Sequence, residues 1–133
     1  GCIPNDFYNI SEFNSIKVLD LRYNQLHGTI SNNIINLQDS LVELHLHCNK
    51  LSGNNLMEWL PRLKRLIKID IRSNSLSGTL IKNDLLLIHS SLSQLDVFYI
   101  SSNIIEFKCN LLNKKQKHEY VKSLLCGCCS ISI

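Results

Sequence analysis

The chain has 133 residues, enough for one folded domain, and its formal net charge is +3. Its hydrophobic content of 44% is ordinary for a globular protein. So small a positive charge, with a dense basic patch only at residues 114–117, argues against a nucleic-acid partner. No apolar run reaches the roughly 20 residues that a membrane-spanning helix needs.

Four asparagines each close the same pattern of apolar residues: Asn24, Asn49, Asn74 and Asn103. Apolar residues stand eight, five and three positions before each asparagine, and another stands two positions after it. The asparagines are 25, 25 and 29 residues apart, a period that predicts a stack of repeated structural units. The apolar positions hold Ile16, Leu19, Leu21 and Leu26, then Leu41, Leu44, Leu46 and Leu51, then Leu66, Ile69, Ile71 and Leu76, and finally Leu95, Phe98, Ile100 and Ile105.

The pattern L-x-x-L-x-L-x-x-N-x-L resembles that of the leucine-rich-repeat family, over residues 1 to about 107. Three repeats continue with Gly28, Gly53 or Gly78, and residues 1–4 (G-C-I-P) are similar to the G-x-I-P element of the plant-type subclass. The resemblance implies an α/β leucine-rich-repeat solenoid. In such a fold a curved parallel sheet forms the concave side, and turns and short helical segments form the convex side.

The residue types explain why each repeat would form one rung of such a stack. Alternating apolar residues, such as Leu19 and Leu21 around Asp20, predict a short strand with one buried face. Successive strands would pair in parallel, and each asparagine amide would bond backbone groups of the neighbouring turn. Residues 55–60 and 84–92 are expected to form short helical pieces on the convex return.

The residues beyond the array are expected to form a separate terminal element. We assign residues 1–107 to the array, a partial first repeat followed by four repeats, and residues 108–133 to a C-terminal cap or tail. Tyr120, Val121, Leu124 and Leu125 form an apolar stripe that predicts a helix over 113–125. An unstructured or spurious tail is the alternative. Because no polar cap precedes the first repeat, we expect a fragment of a longer array or a truncated gene product.

The six cysteines fall into two groups. Cys2 and Cys48 are too far apart in the predicted stack to pair. The other four stand beyond the last repeat, where free thiols, a disulfide that staples a cap, and a metal or lipid site are all open alternatives. These four are Cys109, Cys126, Cys128 and Cys129.

Side chains that alternate with the buried strand residues would line the concave face. Equal positions of successive repeats would then form columns that cross it. One column would hold Asp20, His45, Asp70 and Tyr99, and the next Arg22, His47, Arg72 and Ser101. An acidic row beside a basic row suits a polar or charged peptide, whereas the alternative is a solvated face whose charges prevent aggregation. The candidate partner-binding residues are Asp20, Arg22, Tyr23, Glu43, His45, His47, Lys68, Asp70, Arg72 and Tyr99.

Two histidines occupy the middle of these columns. His45 would lie between two aspartates, and His47 between two arginines. A neighbouring carboxylate favours the imidazolium form, whereas a neighbouring guanidinium disfavours it. We therefore expect the two histidines to differ in charge.

The sequence predicts a non-catalytic module that recognises a protein or peptide ligand through its concave face. An open sheet excludes no water, and no oxyanion donors are evident. The sequence also lacks a glycine-rich phosphate loop and an H-E-x-x-H motif. We therefore expect no enzyme activity, no cofactor and no metal site on this face.

The resemblance implies a receptor-like or secreted inhibitor-like protein, outside the cell or at its surface. The sequon that begins at Asn9 agrees with the secretory route. One alternative is an intracellular scaffold in the cytoplasm, and another is a truncated, non-functional fragment of a receptor kinase. A membrane would be reached only through a parent protein or through C-terminal lipidation.

Overall fold

The computed structural model describes residues 1–9 and 15–108, which form two parallel four-stranded sheets. The chain alternates between the sheets, because the odd-numbered strands form the first sheet and the even-numbered strands the second. In chain order the strands are β1 (Val18–Asp20), β2 (His27–Thr29), β3 (Glu43–His45), β4 (Lys50–Gly53), β5 (Lys68–Asp70), β6 (Ser75–Ile81), β7 (Val97–Tyr99) and β8 (Ile104–Lys108). The helix expected over 113–125 and the four C-terminal cysteines lie outside the described residues.

The first sheet contains the short alternating strands that the repeat pattern predicts. We number its rungs one to four, from β1 through β3 and β5 to β7. The register is regular: Asp20 pairs with His45, His45 with Asp70, and Asp70 with Tyr99. The central residues of the four strands are buried, namely Leu19, Leu44, Ile69 and Phe98. One face of this sheet therefore belongs to the core, and the other carries the polar columns.

The second sheet is a feature that the repeat pattern did not predict. Its strands begin one to three residues after each repeated asparagine. The opening G-C-I-P segment joins its edge, since Cys2 forms a parallel bridge with His27, and the N–H of His27 donates to the carbonyl of Gly1 at 3.0 Å. Residues 1–4 thus occupy the place of the same strand in an earlier repeat, as their resemblance to G-x-I-P implies.

A tight turn joins the two strands of each repeat. In all four turns, the amide nitrogen of the repeated asparagine donates to the carbonyls two and three residues earlier, at 2.9–3.5 Å. The residue directly before each asparagine has a left-handed backbone, which non-glycine residues seldom adopt. These residues are Tyr23, Cys48, Ser73 and Ser102, with φ values of 52–58°. The asparagine side chain therefore closes the turn that ends each rung.

Glycine is required where the second sheet passes close to its neighbour. Gly53 and Gly78 have φ values of 106° and 115°. A Cβ on Gly53 would lie 2.9 Å from Cγ2 of Thr29 in the preceding repeat. A side chain is therefore excluded there by both the backbone conformation and the space.

Three of the asparagines also tie their repeat to the preceding one. Asn49 donates from Nδ2 to the carbonyl of Leu21 at 2.9 Å, and its Oδ1 accepts from the N–H of Leu26 at 3.0 Å. Asn74 and Asn103 make the equivalent contacts in their repeats. Within the described residues, the side chain of Asn24 bonds only its own turn and is exposed. We call these four asparagines the ladder.

Helical segments form the return of each repeat, as expected. Helix α1 (Leu56–Trp59) and helix α2 (Lys82–Ser91) overlap the two segments predicted to be helical. Among the described residues, 3₁₀ turns lie at Phe7–Asn9, Asn32–Leu37 and Leu60–Arg62. The Asp84 carboxylate accepts from the N–H of Ile81 at 2.9 Å, which caps the start of α2. Within residues 1–9 and 15–108, no helix has the length and apolar character to cross a membrane.

Both sheets and the helical segments pack into one hydrophobic core. Its largest fully buried side chains are Trp59, Tyr8 and Phe98. Each repeat buries its apolar face against its neighbours rather than within itself, which is the packing of a solenoid. The inner face of the first sheet packs on this core at all four rungs.

Candidate functional site

The ten candidate residues lie on one surface, on the rungs of the first sheet or in the turns that follow them. The structure therefore brings together the residues that the sequence analysis selected, because parallel pairing keeps equal positions side by side. They are Asp20, Arg22 and Tyr23 on rung one, Glu43, His45 and His47 on rung two, Lys68, Asp70 and Arg72 on rung three, and Tyr99 on rung four.

The centre of the surface is an ion pair on rung three. Arg72 donates from Nε to Oδ1 of Asp70 at 2.9 Å, and from Nη2 to Oδ2 at 2.7 Å. The backbone N–H of Arg72 adds a third contact, to Oδ1 at 3.2 Å. The Asp70 side chain is buried, so this bidentate pair holds the guanidinium in one orientation.

Tyr99 on rung four fixes the other side of the same guanidinium. Its ring lies under Cζ of Arg72, 4.4 Å from the ring centroid, which is the geometry of a cation–π contact. Burial acts to raise the pKa of Asp70, but hydrogen bonds from Arg72 and the charges of His47 and Arg72 outweigh it and lower the pKa. The hydrogen bond to Asp70 raises the pKa of Arg72. Both effects keep the pair ionised at neutral pH.

Rung two holds two buried histidines whose ring centroids are 6.4 Å apart. Nε2 of His45 lies 2.9 Å from Oε2 of Glu43. Nδ1 of His47 lies 3.1 Å from Oδ2 of Asp70, within ion-pair distance but outside hydrogen-bond geometry. Parallel pairing keeps His47 between the positions of Arg22 and Arg72, as expected. Its ring also reaches diagonally to the carboxylate on rung three, a contact that was not expected, so both histidines contact a carboxylate.

Rung one repeats the ion pair of rung three at an exposed position. Nε of Arg22 lies 3.0 Å from Oδ2 of Asp20, and the backbone N–H of Arg22 donates to Oδ1 at 3.2 Å. Tyr23 follows in the turn, and its ring meets that of His47 edge-on at 5.1 Å. Because the Tyr23 side chain is 73% exposed, it offers a large amphipathic surface to a partner.

The chain matches no protein-family model and no curated protein sequence. It does match the ectodomain of the plant membrane receptor kinase GASSHO1/SCHENGEN3 from Arabidopsis thaliana, solved in complex with CASPARIAN STRIP INTEGRITY FACTOR 2. The two are 27% identical with a TM-score of 0.63, over 77% of this chain and 11% of that one.

Two further solved structures extend this likeness. A PEPR1–AtPEP1 structure is 29% identical with a TM-score of 0.63, over 79% of this chain and 13% of that one. A plant ice-binding protein is 27% identical with a TM-score of 0.61, over 79% of this chain and 31% of that one. All three structures are therefore similar to this chain in fold over more than three quarters of its length.

This chain has the leucine-rich-repeat fold of the plant receptor ectodomains. It spans less than a third of the length of each of the three proteins, at 11%, 13% and 31%. Its fold occurs both in receptor ectodomains and in an ice-binding protein, so the fold alone does not specify a function. The function of this leucine-rich-repeat chain has to be argued from its own side chains.

The sequence analysis missed a second group of residues, at the edge where the strands of the first sheet begin. They line a cleft of about 430 Å³. A regular signal was available, because seven of the eight lining residues, all except Asp39, stand nine or seven positions before successive ladder asparagines. The nine-position set is Ser15, Ser40, Arg65 and Gln94, and the seven-position set is Lys17, Val42 and Ile67.

The described side chains include histidines, cysteines and carboxylates, the usual ligands of a metal ion. Within residues 1–9 and 15–108, no group of three or more His, Cys, Asp or Glu side chains could hold a metal ion. Cys2 and Cys48 are both free thiols. The chemistry that the described surface offers is therefore that of charged and aromatic side chains in fixed positions.

Proposed function

We propose that this leucine-rich-repeat protein is a non-catalytic recognition module that binds a peptide or protein ligand on the first sheet, centred on Arg72. The observation that carries the proposal is the fixed guanidinium of Arg72. Two hydrogen bonds to Asp70 and the ring of Tyr99 hold it in place before any ligand arrives. A charged group held in this way loses little conformational entropy on binding.

The fixed guanidinium retains donors for a ligand. Within the described part of the chain, Nη1 of Arg72 makes no hydrogen bond, and the side chain is partly exposed. A carboxylate or another planar anionic group of a peptide would pair with these N–H groups. Tyr23 and the half-buried Tyr99 would supply aromatic contact area on either side, which suits an extended chain that crosses the rungs.

Two considerations favour binding over a merely solvated surface. A solvated face needs only exposed charges, whereas rung three buries Asp70 in order to hold Arg72. The structural neighbours give independent support, since one is a receptor ectodomain solved with CASPARIAN STRIP INTEGRITY FACTOR 2, and another is a PEPR1–AtPEP1 structure.

Selection from a displayed library of random peptides against the full chain tests the proposal. We expect recovered peptides to carry an acidic residue or a free C-terminal carboxylate. Their affinity for the Arg72→Ala variant should fall about tenfold or more, because a charge-assisted bidentate contact is lost. Lys50→Ala, an exposed change on the second sheet, is the matched control. Peptides that bind Arg72→Ala as tightly as the wild type would contradict the proposal.

We infer further that the protein acts outside the cell or at its surface, as the receptor ectodomains among its neighbours do. Mass mapping of the natural protein with and without reduction tests this setting. Disulfides among Cys109, Cys126, Cys128 and Cys129 are the expected result. Fully reduced thiols in protein isolated without reductant would instead favour the intracellular scaffold.

A further inference from the structure

The cleft at the strand-entry edge of the first sheet is a surface separate from the columns of charged residues. It runs across successive rungs at one level of the stack, because its residues recur at fixed distances from the ladder asparagines. A surface that crosses rungs in this way follows the direction of stacking rather than the direction of the strands. It is suited to an extended segment that lies across several repeats.

Three backbone carbonyls at this edge already pair with the following rung. The carbonyl of Lys17 accepts from the N–H groups of Val42 and Glu43, at 2.7 and 2.9 Å. The carbonyls of Val42 and Ile67 each accept two N–H groups of the following rung in the same way. A ligand therefore cannot add a strand here by backbone pairing, and recognition has to come from side chains.

Two of the residues that line the cleft are apolar, Val42 and Ile67. Ile67 is 42% exposed although it stands next to the fully buried Leu66, and Val42 lies beside it on the preceding rung. A single exposed isoleucine is common on protein surfaces. Here two branched side chains line one concave site, against which an apolar side chain of a partner can pack.

The walls of the cleft carry an excess of positive charge. Nη1 of Arg65 donates to the carbonyl of Asp39 at 2.6 Å, which holds the guanidinium at the cleft without neutralising it. Within residues 1–9 and 15–108, no ion pair involves Lys17, Arg65 or Asp39. The lining thus offers two cations and a single carboxylate to a ligand.

We propose that this cleft binds an extended acidic peptide segment of a partner protein, with two acidic residues three positions apart and an apolar residue between them. Lys17 and Arg65 lie two rungs apart, about 10 Å at the usual strand spacing. A polyproline-II segment rises about 3.1 Å per residue and has three residues per turn, so residues three apart face the same side at this distance. The apolar residue between them points about 120° away from the acidic pair. In a concave cleft it can therefore contact Ile67 and Val42 while the acidic pair contacts the two cations. This proposal stands independently of the binding surface around Arg72.

A defined peptide tests the proposal: acetyl-Pro-Glu-Val-Pro-Glu-Pro-amide, titrated into the full chain labelled with ¹⁵N. The expected result is a set of amide shifts at Lys17, Ile67 and Gln94, with those around Arg72 unchanged. The double variant Lys17→Glu/Arg65→Glu should bind about tenfold more weakly, because attraction becomes repulsion. The same peptide with lysines in place of its glutamates should prefer the double variant over the wild type.

Two further variants complete the experiment. Lys50→Glu changes an exposed charge outside the cleft and should leave the affinity unchanged. Ile67→Ser removes the apolar contact without changing the charge of the cleft and should weaken binding about fivefold. The proposal is overturned by the absence of shifts at millimolar peptide, by shifts confined to the Arg72 surface, or by an affinity that charge reversal does not alter.

Discussion

The sequence Asp-x-Arg occurs on rung one and again on rung three, and the two copies differ only in their surroundings. In both, the arginine contacts the carboxylate through its side chain and through its backbone N–H at 3.2 Å. On rung one the side chains of Asp20 and Arg22 are 36% and 51% exposed. On rung three those of Asp70 and Arg72 are 4% and 37% exposed.

The comparison shows what a repeat contributes by itself and what its neighbours add. The local sequence is sufficient to form the ion pair, since both copies have it. Burial of Asp70 and the stacking of Arg72 depend on His47 and Tyr99, which belong to the adjacent rungs. Exposed pairs contribute roughly 0–1 kcal/mol, whereas breaking a buried pair is strongly destabilising.

Substitution of the ladder asparagines should give the largest difference in stability between rung three and rung one. Asn74→Ala would leave the N–H of Leu51 without a partner in the core, and the carbonyl of Leu46 would keep only its bond from Asn49. We expect a loss of about 2–3 kcal/mol in the free energy of unfolding, since one orphaned buried group costs roughly 1–3 kcal/mol and the bond to Leu46 is also lost. Asn24→Ala should cost less than about 1 kcal/mol, because Asn24 is exposed. Urea denaturation of both variants measures the difference, and equal losses would contradict the account.

Substitution of the aspartates on rungs three and one should give the next largest difference in stability. Asp70→Asn removes the charge that Arg72 and His47 contact, and the expected loss is about 2 kcal/mol in the free energy of unfolding. Asp20→Asn removes an exposed partner and should cost less than about 0.5 kcal/mol. Thermal and urea denaturation at pH 7 would check both values. A larger loss for Asp20→Asn would show that burial does not set the strength of the pair.

The contribution of Asp70 to stability should also depend on pH. The pKa of Asp70 is lower in the folded chain than its ordinary value of 3.8, so the folded state binds the proton less readily than the unfolded state. The stabilisation is therefore complete above about pH 4 and is lost as the pH falls through the folded pKa. The difference in unfolding free energy between wild type and Asp70→Asn should shrink over that range. A difference that stays constant from pH 7 to pH 2 would contradict this.

The smallest expected effects concern the two tyrosines. Tyr99→Leu removes the ring beneath Arg72 while keeping an apolar side chain, and should cost about 0.5–1 kcal/mol. Tyr23→Leu acts on an exposed ring, and the expected change is within about 0.5 kcal/mol. Denaturation at low and high salt distinguishes the cation–π contribution from packing. Equal effects of the two substitutions would place Tyr99 among ordinary surface residues.

Much of the fold could be predicted from spacing alone, because the ladder asparagines and strand leucines recur at fixed offsets. The second sheet could not, since segments such as residues 27–29 are short and contain a glycine that usually weakens a strand. Parallel register also placed the columns of the site correctly. The diagonal contacts of His47 to Asp70 and of Arg72 to Tyr99 depend on side-chain rotamers, which spacing does not contain.

Neighbouring rungs hold Arg72 in place, whereas among the described residues the side chain of Arg22 is paired with Asp20 of its own rung alone. Relaxation of the ¹⁵Nε–H groups in the full chain measures this difference. We expect an order parameter near that of rigid backbone, about 0.8, for Arg72, and a value below about 0.6 for Arg22. Equal order parameters for the two side chains, or a more mobile Arg72, would contradict it.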